Sequence, residues 1–182
     1  MVYPVPPDDF PPRRFPKVPL DRRAYAFGID FISVWFLSSF AGNNPFGQFL
    51  AFFGIWFVLR VIVAVQNKGQ SLGRWALDMK VIEARGRRVP GVVELAKREA
   101  IVGAGAALTM VGANAAFANP LTFILLASPL VADCGMAIGD EEFFRAFHDR
   151  LAGTLVIQTR RGFSLDLRLK RLWYEIVKRK QR

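Results

Sequence analysis

Two carboxylates and one guanidinium set in apolar stretches are the groups of this chain best placed to do chemistry. Asp30 lies about two turns into the run AYAFGIDFISVWFLSSFA, where an ionised carboxylate is costly unless it is paired or wetted. Asp133 lies near the end of a second run, LTFILLASPLVADCGMAI, and could face the same interior. Two such carboxylates would suit passage of a cation or proton; pairing or solvation at the membrane interface is the structural alternative. Arg60 stands near the end of FGQFLAFFGIWFVLRVIVAV. We read it first as a side chain that snorkels to the headgroups, with a buried ion pair to Asp30 or Asp133 as the alternative.

The remaining reactive types argue against catalysis. His148 and Asp149 are neighbours, but no serine or cysteine nucleophile sits in a recognisable motif, and adjacency does not make a base and its orienting group. Cys134 and His148 are single copies of their types, which excludes a disulfide framework and an ordinary zinc site. Gly103 and Gly105 form a GxG with no third glycine and no preceding strand, so no dinucleotide fingerprint is present. Together with Ala107, Thr109, Gly112 and Ala113 they suit close helix packing. No cofactor, metal or catalytic residue is expected.

The elements that must position these groups are apolar helices. Four stretches, at about 24–41, 46–65, 101–117 and 121–138, read as membrane spans, the last two being short. Brief links at Gly42 to Pro45 and Ala118 to Pro120 make them two helical hairpins. Between the pairs, QSLGRWALDM reads as a short interfacial helix with Ser71 as its cap. Residues 80–90 then read as two β-prone pieces around a turn at Arg85 and Gly86, and residues 153–158 as a third piece able to pair beside them. The expected fold is an all-α four-span bundle with short interfacial helices and a small cytoplasmic β-hairpin or three-stranded cap.

Composition agrees with that architecture. The chain has 182 residues, 52% hydrophobic and 22% charged, with a mean hydropathy of +0.23, which points to one small membrane domain. A net charge of +10 would suggest nucleic acid in a soluble protein, but the placement of the charge says otherwise. Five basic residues precede the first span, eight lie between Gln66 and Ile101, and eleven follow Ile138, while both hairpin links have none. The positive-inside rule therefore places both termini in the cytoplasm of a bacterial-type inner or internal membrane, with anionic lipid at the basic face. No nucleic-acid partner is expected.

Flanking segments divide the chain further. Six prolines among residues 1–16 make 1–21 a proline-rich cytoplasmic arm. Residues 159–182 form a basic tail in which Leu169, Leu172 and Trp173 recur at helical spacing among Arg168, Lys170 and Arg171. That pattern reads as an amphipathic helix for an anionic membrane surface or a partner's groove.

The middle region, 22–158, resembles the RDD family of membrane proteins. The family's first motif appears as Arg23, Ala26 and Asp30 in RRAYAFGID, its middle motif as SLGRWALDMKVIEARGRRVP with Arg98 following, and its last as FHDRLAGTLVI at 147–157. The last is the most specific, and it contains His148. The resemblance implies a multi-pass membrane protein with no catalytic chemistry established for the group and ion transport suggested for some members. Arg23 and Asp149 fall on one side of the bundle and are expected to pair structurally. The favoured function is a non-catalytic accessory or scaffold subunit that associates with other membrane proteins. The alternative is cation or proton transport, antiporter-like, by an oligomer.

Overall fold

The computed structural model describes residues 17–42, 44–86, 88–140, 143–159 and 165. The proline-rich arm, apart from its last residues, and nearly all of the basic tail lie outside them. Helix α1 (Leu20–Ser38) continues into a 3₁₀ turn, Ser39–Ala41, and stops at Gly42, whose φ of +91° only glycine adopts freely. Helix α2 (Pro45–Phe57) starts on Asn44, whose side chain accepts from the Phe46 N–H, with Pro45 in the first turn where its missing donor costs nothing. A π-turn, Val58–Ile62, joins α2 to α3 (Val63–Gln66) in one continuous rod. The second hairpin repeats the device: after α5 (Val92–Ala115), Asn119 caps α6 (Pro120–Gly135) ahead of Pro120. Between the hairpins lie α4 (Leu72–Ala76) and β1 (Met79–Glu83), and after them α7 (Phe147–Leu151) and β2 (Thr154–Gln158).

Among the described residues, two helices are long and apolar enough to cross a membrane, Leu20–Ala41 and Pro45–Gln66. Most of each is uncovered, and large apolar residues such as Ile32, Phe36, Phe46 and Leu50 point outward. This is the surface expected of helices that face hydrocarbon rather than water. Helix α6 is apolar but has 16 residues, a length of about 24 Å. Its interior Pro129 leaves the Leu125 carbonyl without its helical donor, and the Ser128 hydroxyl supplies one at 2.8 Å.

The core joins the hairpins through Val34, Phe52, Trp56, Val102, Ala106, Ala107 and Met110. Glycines let α5 approach its neighbours: a Cβ at Gly103 would lie 2.7 Å from the Trp56 ring, and one at Gly112 would lie 3.1 Å from Phe123 Cα on α6.

The cap differs from expectation. The β-hairpin or three-stranded cap expected from residues 80–90 and 153–158 is a two-stranded antiparallel sheet in which β1 pairs with β2, Met79 opposite Gln158 and Glu83 opposite Thr154. The chain does turn after β1, and the Glu83 N–H reaches the Arg88 carbonyl at 2.9 Å. Pro90, which has no N–H, and the start of α5 at Val92 leave no length for a returning strand. The ladder is extended by Ala84 N–H to Gly153 O and Thr159 N–H to Asp78 O, so β2 takes the place of the missing strand.

Candidate functional site

The charges of the two hairpins meet in one buried network. Asp30 is fully buried on α1, and its carboxylate accepts from Arg60 Nη1 at 2.7 Å, Ser71 Oγ at 2.6 Å and the Gly73 backbone N–H at 2.7 Å. That third bond requires glycine, because a Cβ at residue 73 would sit 2.0 Å from the Ala26 carbonyl oxygen. Ser71 therefore does not cap α4 with its side chain; its hydroxyl is committed to Asp30.

Arg60 is only 4% exposed and does not snorkel. It lies within the π-turn, and its guanidinium bridges Asp30 on one side and Glu99 on the other, with Nε 2.8 Å from Glu99 Oε2. Its planar face lies 4.6 Å from the Trp56 ring centre, a cation–π arrangement. Glu99 is the hub. Besides Arg60 it accepts from Arg74 Nη2 at 2.8 Å, Arg98 Nη1 at 2.6 Å and Trp56 Nε1 at 3.1 Å.

From the hub, Arg98 leads to the last motif. Its Nε donates to Asp149 Oδ1 at 2.8 Å, and its Nη2 lies 3.3 Å from His148 Nε2. The ring's Nδ1 faces Asp133 Oδ2, and its Nε2 also stands 3.6 Å from Asp149 Oδ1. Asp133 also accepts from the His148 backbone N–H at 2.9 Å, so this carboxylate is sequestered rather than solvated at the interface. Arg23 donates to both Asp149 and the Phe144 carbonyl, tying the start of α1 to the segment before α7. Burial alone would raise the Asp149 pKa, but Arg98, His148 and Arg23 together carry it well below the usual carboxylate range.

All seven candidates from α1 to α7, namely Arg23, Asp30, Arg60, Arg98, Asp133, His148 and Asp149, thus fall in one network. Leu169, Leu172, Trp173, Arg168, Lys170 and Arg171 lie outside the described residues. Sequence reasoning missed Glu99 and Arg74, and it gave Ser71 a capping role in place of its bond to Asp30. Charge parity is the signal that could have found Glu99, since Arg60, Arg74 and Arg98 inside a membrane domain require acids in reach. Four arginines (Arg23, Arg60, Arg74, Arg98) are balanced by four carboxylates (Asp30, Glu99, Asp133, Asp149).

A cavity of about 450 Å³ adjoins the network between α1 and α6. All four arginines and His148 line it, together with apolar residues such as Phe27, Val102 and Val131, and none of its lining residues is acidic. The carboxylates stand behind the arginines. Among the described residues no group of acids, histidines and cysteines is arranged to hold a metal ion.

No curated protein and no solved structure matches the chain. The sequence profile of the RDD family matches residues 17–153, a span that contains every member of the network, and the chain belongs to the RDD family.

Proposed function

We propose that this chain is a non-catalytic, multi-pass accessory or scaffold subunit of a membrane assembly. In this reading α1, the α2–α3 rod, α5 and α6 form a four-span bundle with both termini in the cytoplasm. The network closes that bundle at its cytoplasmic end. One observation carries the reading: Asp30, Glu99, Asp133 and Asp149 each have two or more polar partners within the network, and none of the four lines the cavity. A carboxylate that carries a proton or cation must exchange partners, whereas Asp30 and Asp133 are both engaged and neither lines the cavity. A buried charge lattice instead specifies how two hairpins sit together.

The test has two arms. The full-length protein, isolated in mild detergent, should co-purify with other membrane proteins in fixed stoichiometry. In proteoliposomes it should show no cation-driven proton movement. A lone homo-oligomer whose proton flux vanishes in Asp30→Asn would overturn the scaffold reading. Topology is tested separately in a Cys134→Ser background: a cysteine at Asn119 should react with an impermeant maleimide from outside intact cells.

A further inference from the structure

The cavity between α1 and α6 has a cationic floor and apolar walls, and the network leaves one of its donors unused. Arg74 is 3% exposed, its Nη2 donates to Glu99, and its buried Nη1 has no acceptor. An orphaned guanidinium donor in a buried site is expensive, because such a group has given up water and received nothing. Burial first, then the neighbouring charges of Arg60 and Arg98, pull the pKa of Arg74 down to about 9 despite Glu99 and Asp30 nearby. The position asks for an anion.

The walls state what kind. Val131 on α6 and Ile138 just after it line the cavity and are 66% and 72% exposed, so its rim is apolar and faces outward. Helices α5 and α6 pack closely along their length, whereas α1 and α6 leave this gap. A small soluble anion would gain nothing from such a rim. A lipid would gain twice, by placing its phosphate against the arginines and its chains against Phe27, Val131 and Ile138. The volume suits a glycerophosphate headgroup with the first carbons of its chains. With four arginines and no acid lining the cavity, an ammonium-bearing headgroup meets like charge, which selects against zwitterionic lipids.

We infer that the α1–α6 cavity is a binding site for an anionic glycerophospholipid, whose phosphate lies against the arginines that line the cavity while its acyl chains leave over Val131 and Ile138. The site is independent of whether the chain acts as a scaffold.

Cys134, the chain's single cysteine, lines the same cavity and reports occupancy. The experiment measures the rate of maleimide modification of Cys134 in the full-length protein in detergent, with dioctanoyl phosphatidylglycerol, dioctanoyl phosphatidylcholine or inorganic phosphate added. Phosphatidylglycerol should slow the reaction, while phosphatidylcholine at equal concentration and phosphate should leave it nearly unchanged. Arg74→Gln should raise the phosphatidylglycerol needed by about tenfold or more, the loss of one charge-assisted hydrogen bond. Val131→Trp, which fills the rim and touches no charge, should weaken protection in a folded protein even if Arg74→Gln does not fold. Equal protection by phosphatidylcholine would reduce the cavity to a non-selective apolar cleft. Protection by phosphate alone would make it a small-anion site. Either result, or no protection by phosphatidylglycerol, overturns the inference.

Discussion

Removing the charge of Glu99 tests the network at its hub. In Glu99→Gln the side chain keeps its shape, but three arginines, Arg60, Arg74 and Arg98, lose the carboxylate that lies within 2.8 Å of each. All three are almost fully buried, so water cannot replace the lost charge. Breaking one buried pair by deleting one partner costs about 3 to 5 kcal/mol, and here one deletion strips three partners at once. Arg60 and Arg98 each retain a second acid, Asp30 and Asp149, whereas Glu99 is the one ion-pair partner of Arg74 among the described residues. We therefore take about 3 to 5 kcal/mol as a lower bound, a large part of the total stability of a domain this size. At about 2 to 4 °C per kcal/mol, the unfolding midpoint in detergent should fall by about 6 °C or more. The assay is thermal unfolding followed by circular dichroism. Removing the stranded cation as well, in Glu99→Gln with Arg74→Gln, should recover part of the loss, because the two changes share a partner. A single variant whose midpoint stays within about 2 °C of wild type would refute the reasoning, since it would place the loss below about 1 kcal/mol.

Three further outcomes follow from the same geometry. Gly73→Ala should cost about 1 to 3 kcal/mol or more, because its Cβ meets the Ala26 backbone oxygen, which cannot move without displacing α1; Gly28→Ala on the same helix, with nothing within 4 Å, should be neutral or slightly stabilising in the same melt. Asp149 has its folded pKa depressed, so its contribution is present above about pH 4, the unfolded carboxylate value, and is lost as pH falls toward the folded value. The wild-type midpoint should therefore be flat near neutrality and drop below about pH 4, with a shallower acid limb in Asp149→Asn; parallel limbs would exclude Asp149 as the titrating group. Arg88→Gln breaks a surface pair in which the arginine is fully solvated, and its melt should overlay the wild-type curve.

The helices were legible because their signals are local. Asn44–Pro45 and Asn119–Pro120 mark two helix starts in plain text, and the apolar runs between them have no competing period. The family motifs picked out Arg23, Asp30, Arg98, His148 and Asp149, yet motif membership does not say which charge meets which. The distance of Arg60 from the helix end permits snorkelling, and only the π-turn, a feature of the folded helix, turns it into the bundle. Glu99 lies two residues before the apolar run that starts at Ile101 and so looks like interface, although the helix there is already buried. The cap was misjudged for a similar reason. A β-prone piece followed by a glycine turn favours a local hairpin, and only the tertiary arrangement reveals that β2, some seventy residues later, is the strand that pairs.

The β1–β2 pairing also orders the birth of the molecule. Asp30 and Arg60 both belong to the first hairpin, so their pair can form before the rest of the chain is made. Glu99 arrives next, at the head of α5 and beside Arg98. Asp149 and β2 are synthesised last, and β1 has no strand partner among the described residues until Thr154–Gln158 has emerged. Until then Arg98 lacks Asp149, and the halves are held by apolar contacts, the ion pairs of Glu99 and the Asn114–Gln48 hydrogen bond. The final motif thus acts as a latch: a chain ending before Asp149 leaves Arg23 without the ion-pair partner seen among the described residues and β1 without a strand to pair with.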